Sequence, residues 1–474
     1  MQIETIILII AVIFGFYMAW SIGANDVANA MGTSVGSGAL TIKRAVILAA
    51  FLEFAGAFFV GSHVSQTIRK GIISPEVFSA NPMYLVYGMT GALLAAAIWL
   101  QVASYFGWPV STTHSIVGSV LGFGMVVGGM HSVDWPKVGS IVASWIVSPL
   151  LSGTIAFIVF SFLRRIIYYN NNPVAAAKKA TPPIVFTVFT VLTLAMVFKG
   201  LKNLHLNLDF PHALLIAMAA GILAAIVSFF LVRRIKVVEI VPRKKLIQPI
   251  IVQKNIPKII QQLSRTVNES QGEVQEKLSR LLTDLRSIKE DVKLGVEIEQ
   301  GTSEFKTVQR IFVYLQILSA GYVAFAHGAN DVANAVGPLA AVISILRTGL
   351  VTMKSAVPLW VLGLGGVGII IGLATWGWRV METVGKKITE LTPTRGFSAE
   401  FAAATTIVFA SKSGLPISTT HTLVGAVLGV GLARGIGALN LRVVLDIIIS
   451  WIVTLPIGAI GSILFFFILK AIFG

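Results

Sequence analysis

One octapeptide occurs twice in this chain. Gly23-Ala24-Asn25-Asp26-Val27-Ala28-Asn29-Ala30 returns as Gly328-Ala329-Asn330-Asp331-Val332-Ala333-Asn334-Ala335. A second motif is doubled as well: Pro109-Val110-Ser111-Thr112-Thr113-His114 and Pro416-Ile417-Ser418-Thr419-Thr420-His421. Asn25 and Asn330 are 305 residues apart, and Ser111 and Ser418 are 307 apart. Two long segments thus keep the same unusual polar residues in the same order. Both motifs sit in strongly apolar sequence. Ionisable residues there are costly to bury, so they mark function first.

The 474 residues are 55% hydrophobic and 12% charged, with a mean hydropathy of +0.83. A soluble domain carries about 25% charged residues. The apolar runs are long and lack the alternation of a porin strand, so the chain reads as an all-α polytopic membrane protein. It has no cysteine, which excludes disulfides and thiol chemistry. The net charge of +16 would suggest nucleic acid in a soluble protein. In a membrane protein, loop Lys and Arg set topology instead, and no nucleic-acid partner is expected. The N-terminus, with Glu4 as its early charge, lacks the basic cluster of a signal peptide.

About twelve apolar segments are expected, near 3–21, 44–65, 84–106, 114–130, 138–163, 183–199, 210–232, 309–327, 356–378, 396–411, 421–433 and 443–472. The fourth and eleventh are short and begin at the Ser-Thr-Thr-His motifs. They read as half-helices or re-entrant pieces near the midplane, and the run from Gly337-Pro338 to Leu346 is equally ambiguous. The expected organisation is a first membrane repeat at 1–170, two linking helices at 171–235, a polar loop at 236–307, and a second repeat at 308–474. An odd number of crossings between equivalent segments makes the repeats inverted, an architecture of secondary transporters. Loops after odd-numbered segments hold twelve Lys and Arg, against eight after even-numbered ones, before the basic central loop is added to the first group. The positive-inside rule then places the central loop in the cytoplasm and both termini outside. Within that loop Val274, Leu278, Leu281, Leu285, Ile288 and Val292 form a short heptad seam. It suits a helix packed on its own protein or a subunit contact.

Each Ser-Thr-Thr-His motif follows a Gly-x-Pro turn. Proline disfavours helix before it, and Ser is a good N-cap, so helices should open at Ser111 and Ser418. A helix start leaves unpaired N–H groups at a positive dipole end. With Thr112, Thr113, Thr419 and Thr420 adding hydroxyls, this chemistry binds an oxyanion without Arg or Lys. The bland alternative is simple capping and packing. In the other motif, Asn25, Asp26, Asn29, Asn330, Asp331 and Asn334 offer the oxygens that a hard cation such as Na⁺ prefers. The small residues around them allow close helix approach. Asp26 is expected to one side, where the helix breaks. Glu53 and Glu400 lie in apolar sequence at non-equivalent positions; each reads as a cation ligand, a proton carrier or a structural partner. His114 and His421 read as hydrogen-bond partners between helices. No H-E-x-x-H, Walker loop or G-x-S-x-G elbow is present, so no enzymatic activity is expected.

These doubled motifs resemble those of the inorganic phosphate transporter (PiT) family over about 1–160 and 308–474. The run Gln66-Thr67-Ile68-Arg69-Lys70-Gly71-Ile72-Ile73 and the surroundings of Glu53 and Glu400 resemble it too. The resemblance implies phosphate import coupled to a cation, sodium in some members and protons or metal-phosphate in others, with external termini.

The expected protein is a plasma-membrane importer of inorganic phosphate, sodium-coupled, working by alternating access and without a bound cofactor. Phosphate would lie among Ser111, Thr112, Thr113, Ser418, Thr419 and Thr420, completed by Asn25, Asp26, Asn330 and Asp331. Sodium would use Asn25, Asp26, Asn29, Glu53, Asn330, Asp331, Asn334 and Glu400. By analogy the partners are lipid and a second copy in a homodimer. The alternatives are a proton-coupled phosphate or sulfate permease, a passive anion channel, and a receptor with an inert pore.

Overall fold

The computed structural model describes residues 3–60, 72–200, 208–235, 250–301, 303–351, 357–412 and 417–474. Residues 66–71 of the Gln66–Ile73 run and Pro416 of the second Ser-Thr-Thr-His motif lie outside these. The described residues are helical throughout, apart from turns and one isolated bridge between Ile73 and Val133.

The first repeat opens with α1 (Ile3–Ile22), which passes through a π-helical turn (Gly23–Val27) straight into α2 (Ala28–Gly36). The expected segment at 3–21 is therefore the first half of a 34-residue helix. The chain is not broken at Asp26. One wide turn absorbs an extra residue there, a device common at functional sites. Next come α3 (Ile42–Val60), α4 (Pro82–Phe106), α5 (Thr112–Gly128) and α6 (Trp135–Leu163). The linking helices are α7 (Pro173–Gly200) and α8 (Phe210–Arg233). A polar hairpin follows, α9 (Ile250–Glu269) and α10 (Gly272–Gly301).

The second repeat starts with α11 (Ser303–Thr348), 46 residues without interruption. At 1.5 Å per residue it is about 69 Å long, roughly twice a ~30 Å hydrocarbon core. It absorbs both the expected segment at 309–327 and the run after Pro338. Then come α12 (Leu359–Trp376), the short α13 (Trp378–Glu382), α14 (Pro393–Lys412), α15 (Thr419–Arg434) and α16 (Leu441–Phe473). Among the described residues, seven helical stretches are long and apolar enough to cross a membrane, and α5 is a shorter apolar helix. The expected count of twelve stands as an expectation.

The two repeats interlock reciprocally. The first-repeat helix α6 packs on α15, while the second-repeat helix α16 packs on α4 and α5. Likewise α3 packs on α11, and α12 on α1. Glycine permits the last two crossings. A Cβ on Gly23 would stand 1.9 Å from the carbonyl oxygen of Ile369 on α12, and one on Gly328 would stand 2.2 Å from that of Glu53 on α3. Equivalent glycines thus let equivalent helices touch backbone to backbone.

Each short helix returns to the face its partner came from. Ser74 N donates to Ser132 O at 2.7 Å, tying the entry of α4 to the exit of α5. Asn440 N donates to Ile388 O at 3.0 Å and Thr389 Oγ1 to Ala438 O at 2.9 Å, tying the entry of α14 to the exit of α15. Both pairs run as hairpins whose returning helices, α5 and α15, start inside the protein at the buried Thr112 and Thr419. Loops of like number also meet. Arg164 Nη1 donates to Ala433 O at 3.0 Å, and Arg395 and Arg434 both reach Glu390. The basic loops after the fifth, ninth and eleventh segments therefore share one face.

Large apolar side chains cover the outside, as lipid contact allows: Leu150 on α6 is 66% exposed and Ile452 on α16 is 69% exposed. Of the heptad seam on α10, Val274, Leu281 and Ile288 are exposed and Leu278 and Leu285 half-buried, while the neighbouring Leu282 is buried; α10 packs on α9. The side chain of Val292 lies outside the described residues.

Candidate functional site

The starts of α5 and α15 meet at the π turn of the first repeat and the middle of α11. Ser111 and Ser418 cap α5 and α15, each accepting from the backbone N–H three residues on, His114 and His421, at 3.2 Å. The serines are thus engaged as caps. The threonines point elsewhere. Thr112 Oγ1 donates to Asp26 Oδ2 at 2.7 Å, and its counterpart Thr419 Oγ1 donates to Asp331 Oδ2 at 2.8 Å. Thr419 also lies 3.5 Å from Asp26 Oδ1, and Thr420 Oγ1 donates to that same oxygen.

Asparagines cross between the repeats in matched fashion. Asn29 Nδ2 donates to Thr420 Oγ1 at 3.3 Å; Asn334 Nδ2 donates to Thr113 Oγ1 at 3.4 Å and to Thr112 Oγ1 at 3.0 Å. Eight residues in four equivalent pairs, Asp26/Asp331, Asn29/Asn334, Thr112/Thr419 and Thr113/Thr420, therefore surround one point. All are buried, and first-turn N–H groups of two helices face the same region. A buried carboxylate here needs donors, and the hydroxyls supply them.

Asn25 does something different. Its Nδ2 donates to Ser104 Oγ and Trp108 O, both at 3.0 Å, and its Oδ1 accepts from Val110 N at 3.1 Å. Its polar atoms are spent on holding the turn before Ser111. Asn330 is less buried and donates to its own neighbour, Asp331 Oδ1, at 2.9 Å. The two private glutamates part company. Glu53 borders the central cluster, whereas Glu400 sits in its own pocket. Thr33 Oγ1, Ser34 Oγ, Gln316 Nε2 and Ser319 Oγ all donate to Glu400, at 2.6, 2.6, 3.1 and 2.5 Å.

One residue of the cluster was absent from the sequence reading. His327 is buried on α11, one residue before the second octapeptide. Its Nε2 lies 2.6 Å from Asp331 Oδ2 and 3.6 Å from Asp26 Oδ1, and its Nδ1 lies 3.2 Å from Glu53 Oε2. Three carboxylates thus converge on one imidazole. The first copy has Ile22 at the matching position, so comparing the copies one residue upstream would have exposed the difference.

The donor set fits a hard cation. Asp26 and Asp331 offer carboxylate oxygens, and two buried oxygens, Asn29 Oδ1 and Glu53 Oε1, carry no hydrogen bond. Asp26, His327 and Asp331 also stand close enough to share one ion.

His114 and His421 meet where the repeats join, with ring centroids 4.3 Å apart. The His114 ring lies tilted against Trp145, centroids 3.5 Å apart, and His421 stacks on Trp451 at 3.6 Å. His421 Nδ1 is 3.2 Å from Trp145 O, the expected hydrogen-bonding role; His114 serves by ring contact.

Residues 22–462 match a family model described as "Phosphate transporter family". The chain is 45% identical to "Inorganic phosphate transporter 2-1, chloroplastic" of Arabidopsis thaliana, over 97% of this chain and 72% of that protein. It is 44% identical to a putative phosphate permease of Chlamydia pneumoniae, over 98% of this chain and 99% of that one. Among solved structures it resembles one titled "The sodium-dependent phosphate transporter", with a TM-score of 0.78 and 40% identity, covering 98% of this chain and 99% of that one.

Proposed function

The chain belongs to the phosphate transporter family, and we propose that it imports inorganic phosphate by sodium symport with alternating access around the starts of α5 and α15. The observation that carries this reading is the convergence of Thr112, Thr419 and Thr420 on Asp26 and Asp331. Two helix N-termini and their hydroxyls make a cradle for a tetrahedral oxyanion. Two carboxylates stand in the same cradle and would repel it. Unlike charges at about 4 Å attract strongly in a low-dielectric site, and like charges repel equally. A cation resolves the conflict. Sodium on Asp26 and Asp331 draws the carboxylates toward itself and frees the threonine hydroxyls to donate to phosphate. Neither ion binds well alone, and that mutual dependence is the coupling.

The name of the solved neighbour supports sodium as the coupling ion. Asn29, Asn334 and Glu53 complete an oxygen-rich set around the two aspartates. Glu400 belongs to a separate pocket, where it serves as a second cation position. Among the described residues no Arg or Lys bonds to the threonines and aspartates of the cradle, so the anion can leave once sodium has left. Inverted repeats provide two related arrangements of one site, one open to each side. The proposed orientation puts the shared basic face and the central hairpin in the cytoplasm and the termini outside, in the plasma membrane. The domains follow the repeats: 1–170, 171–235, 236–307 and 308–474.

The test is uptake of labelled phosphate into proteoliposomes with and without an imposed sodium gradient. Sodium-driven accumulation is expected. Uptake that ignores sodium and follows an imposed pH gradient would replace sodium by protons. Uptake that only equilibrates would make the protein an anion channel.

A further inference from the structure

A cleft of about 540 Å³ opens between the turn joining α2 to α3 and the beginning of α11. Arg44 stands on one wall, and Lys306 and Arg310 on the other. No carboxylate lines it, and none of the three cations has a carboxylate partner among the described residues. Lys306, Arg310, Tyr314 and Ile317 recur at helical spacing, so one stripe of α11 runs from cationic to apolar along the helix. Tyr314 is 60% exposed, an aromatic ring at the level where charge gives way to hydrocarbon.

Three cations around one cleft, with no carboxylate partner among the described residues, call for an anion. The polarity of the stripe says which kind. A free anion would use only the charged end, whereas the apolar end continues down the outside of the bundle. We propose that this cleft holds the headgroup of an anionic phospholipid, with its phosphate among Arg44, Lys306 and Arg310 and its acyl chain along Val313, Tyr314 and Ile317. Basic pockets between membrane helices bind such headgroups, each cation near the surface adding to the attraction. The lipid would tie the start of α11, the helix carrying His327 and Asp331, to the turn that follows the first octapeptide.

The experiment uses the full chain in nanodiscs of phosphatidylcholine doped with phosphatidylglycerol. Native mass spectrometry counts the lipids retained. Wild type should retain phosphatidylglycerol in preference to phosphatidylcholine. The double variant Lys306→Gln/Arg310→Gln, on exposed turns, should lose that preference about tenfold. Lys179→Gln, another exposed cation of the basic region, should keep it. Sodium-driven phosphate uptake in pure phosphatidylcholine should be alike in wild type and the double variant, which separates this site from the transport reading. Equal retention in the double variant and wild type would overturn the proposal. So would displacement of the lipid by millimolar inorganic phosphate, since the cleft would then be a free-anion site.

Discussion

His327 Nε2 lies 2.6 Å from Asp331 Oδ2, one helical turn along α11 and fully inside the protein. The same ring contacts Glu53 through its other nitrogen and stands 3.6 Å from Asp26. It therefore links the carboxylate of each repeat to a third that only the first repeat possesses. A pseudo-symmetric site acquires a fixed asymmetry at this point. We propose a positioning role: His327 would set the separation of Asp26 and Asp331, and so the room available to a cation.

Replacing His327 by Gln should keep the volume roughly but lose the ring that bridges three carboxylates. The sodium concentration giving half-maximal uptake should rise about tenfold, the equivalent of about 1.4 kcal/mol. The phosphate KM at saturating sodium should move far less. Sodium activation curves on purified, correctly inserted protein measure both. An unchanged curve would reduce His327 to packing.

Asp26→Asn and Asp331→Asn should each abolish sodium-driven uptake without unfolding the protein. The amide is nearly isosteric with the carboxylate and can still accept from Thr112 or Thr419. It cannot neutralise a cation. Uptake at the wild-type rate by inserted Asp331→Asn would show that the second carboxylate takes no part in coupling.

What sequence made legible was the chemistry that contradicts its surroundings. Asp26, Asp331 and the Ser-Thr-Thr-His helix starts are polar groups in apolar runs, and their doubling points to the candidate site. The N-caps at Ser111 and Ser418 follow from local rules and are found as expected. Continuity of the long helices was hidden, because the Gly, Asn and Asp of the motif look like breakers locally. Tertiary contacts override that propensity, through a π turn in one copy and plain α-helix in the other. Nor could spacing separate Asn25 from Asn29. One holds a turn and the other reaches across to Thr420, a distinction set by partners distant in the chain. Glu53 and Glu400 looked alike for the same reason.

Gly328→Ala tests the helix crossing that carries the site. The added Cβ would stand 2.2 Å from the Glu53 carbonyl, and backbone cannot swing aside as a side chain can. Overpacking of this kind costs about 1–3 kcal/mol, and α3 must retreat from α11. A lower Tm in detergent and loss of uptake are expected. Gly321→Ala on the same helix meets only the tip of the Leu52 side chain, at 2.9 Å, and should change little. Equal tolerance of both would mean that α3 and α11 are not held so closely.

Thr112→Val and Thr419→Val keep shape and branching but remove the hydroxyls now given to Asp26 and Asp331. If those hydroxyls turn to the anion when sodium binds, each loss should cost about 1.5–3 kcal/mol, a tenfold to hundredfold weaker phosphate affinity. Binding of labelled phosphate at saturating sodium decides. Unchanged affinity in both variants would mean that the threonines only satisfy the carboxylates.

Choice between anions follows from the same contacts. Phosphate and sulfate are both tetrahedral, so shape separates them poorly. Near neutral pH phosphate still carries protons, and sulfate carries none. Asp26 and Asp331 lie within hydrogen-bond reach of the threonines at the helix starts, so an anion in that cradle stands beside them. A phosphate O–H can donate to a carboxylate oxygen, whereas sulfate meets it acceptor against acceptor. Sites built around such a donor reject analogues lacking it by about 10⁴ in favourable cases. Arsenate, protonated like phosphate, should compete with labelled phosphate uptake, and sulfate should compete weakly. Sulfate inhibiting as well as arsenate would mean that the aspartates face only the cations.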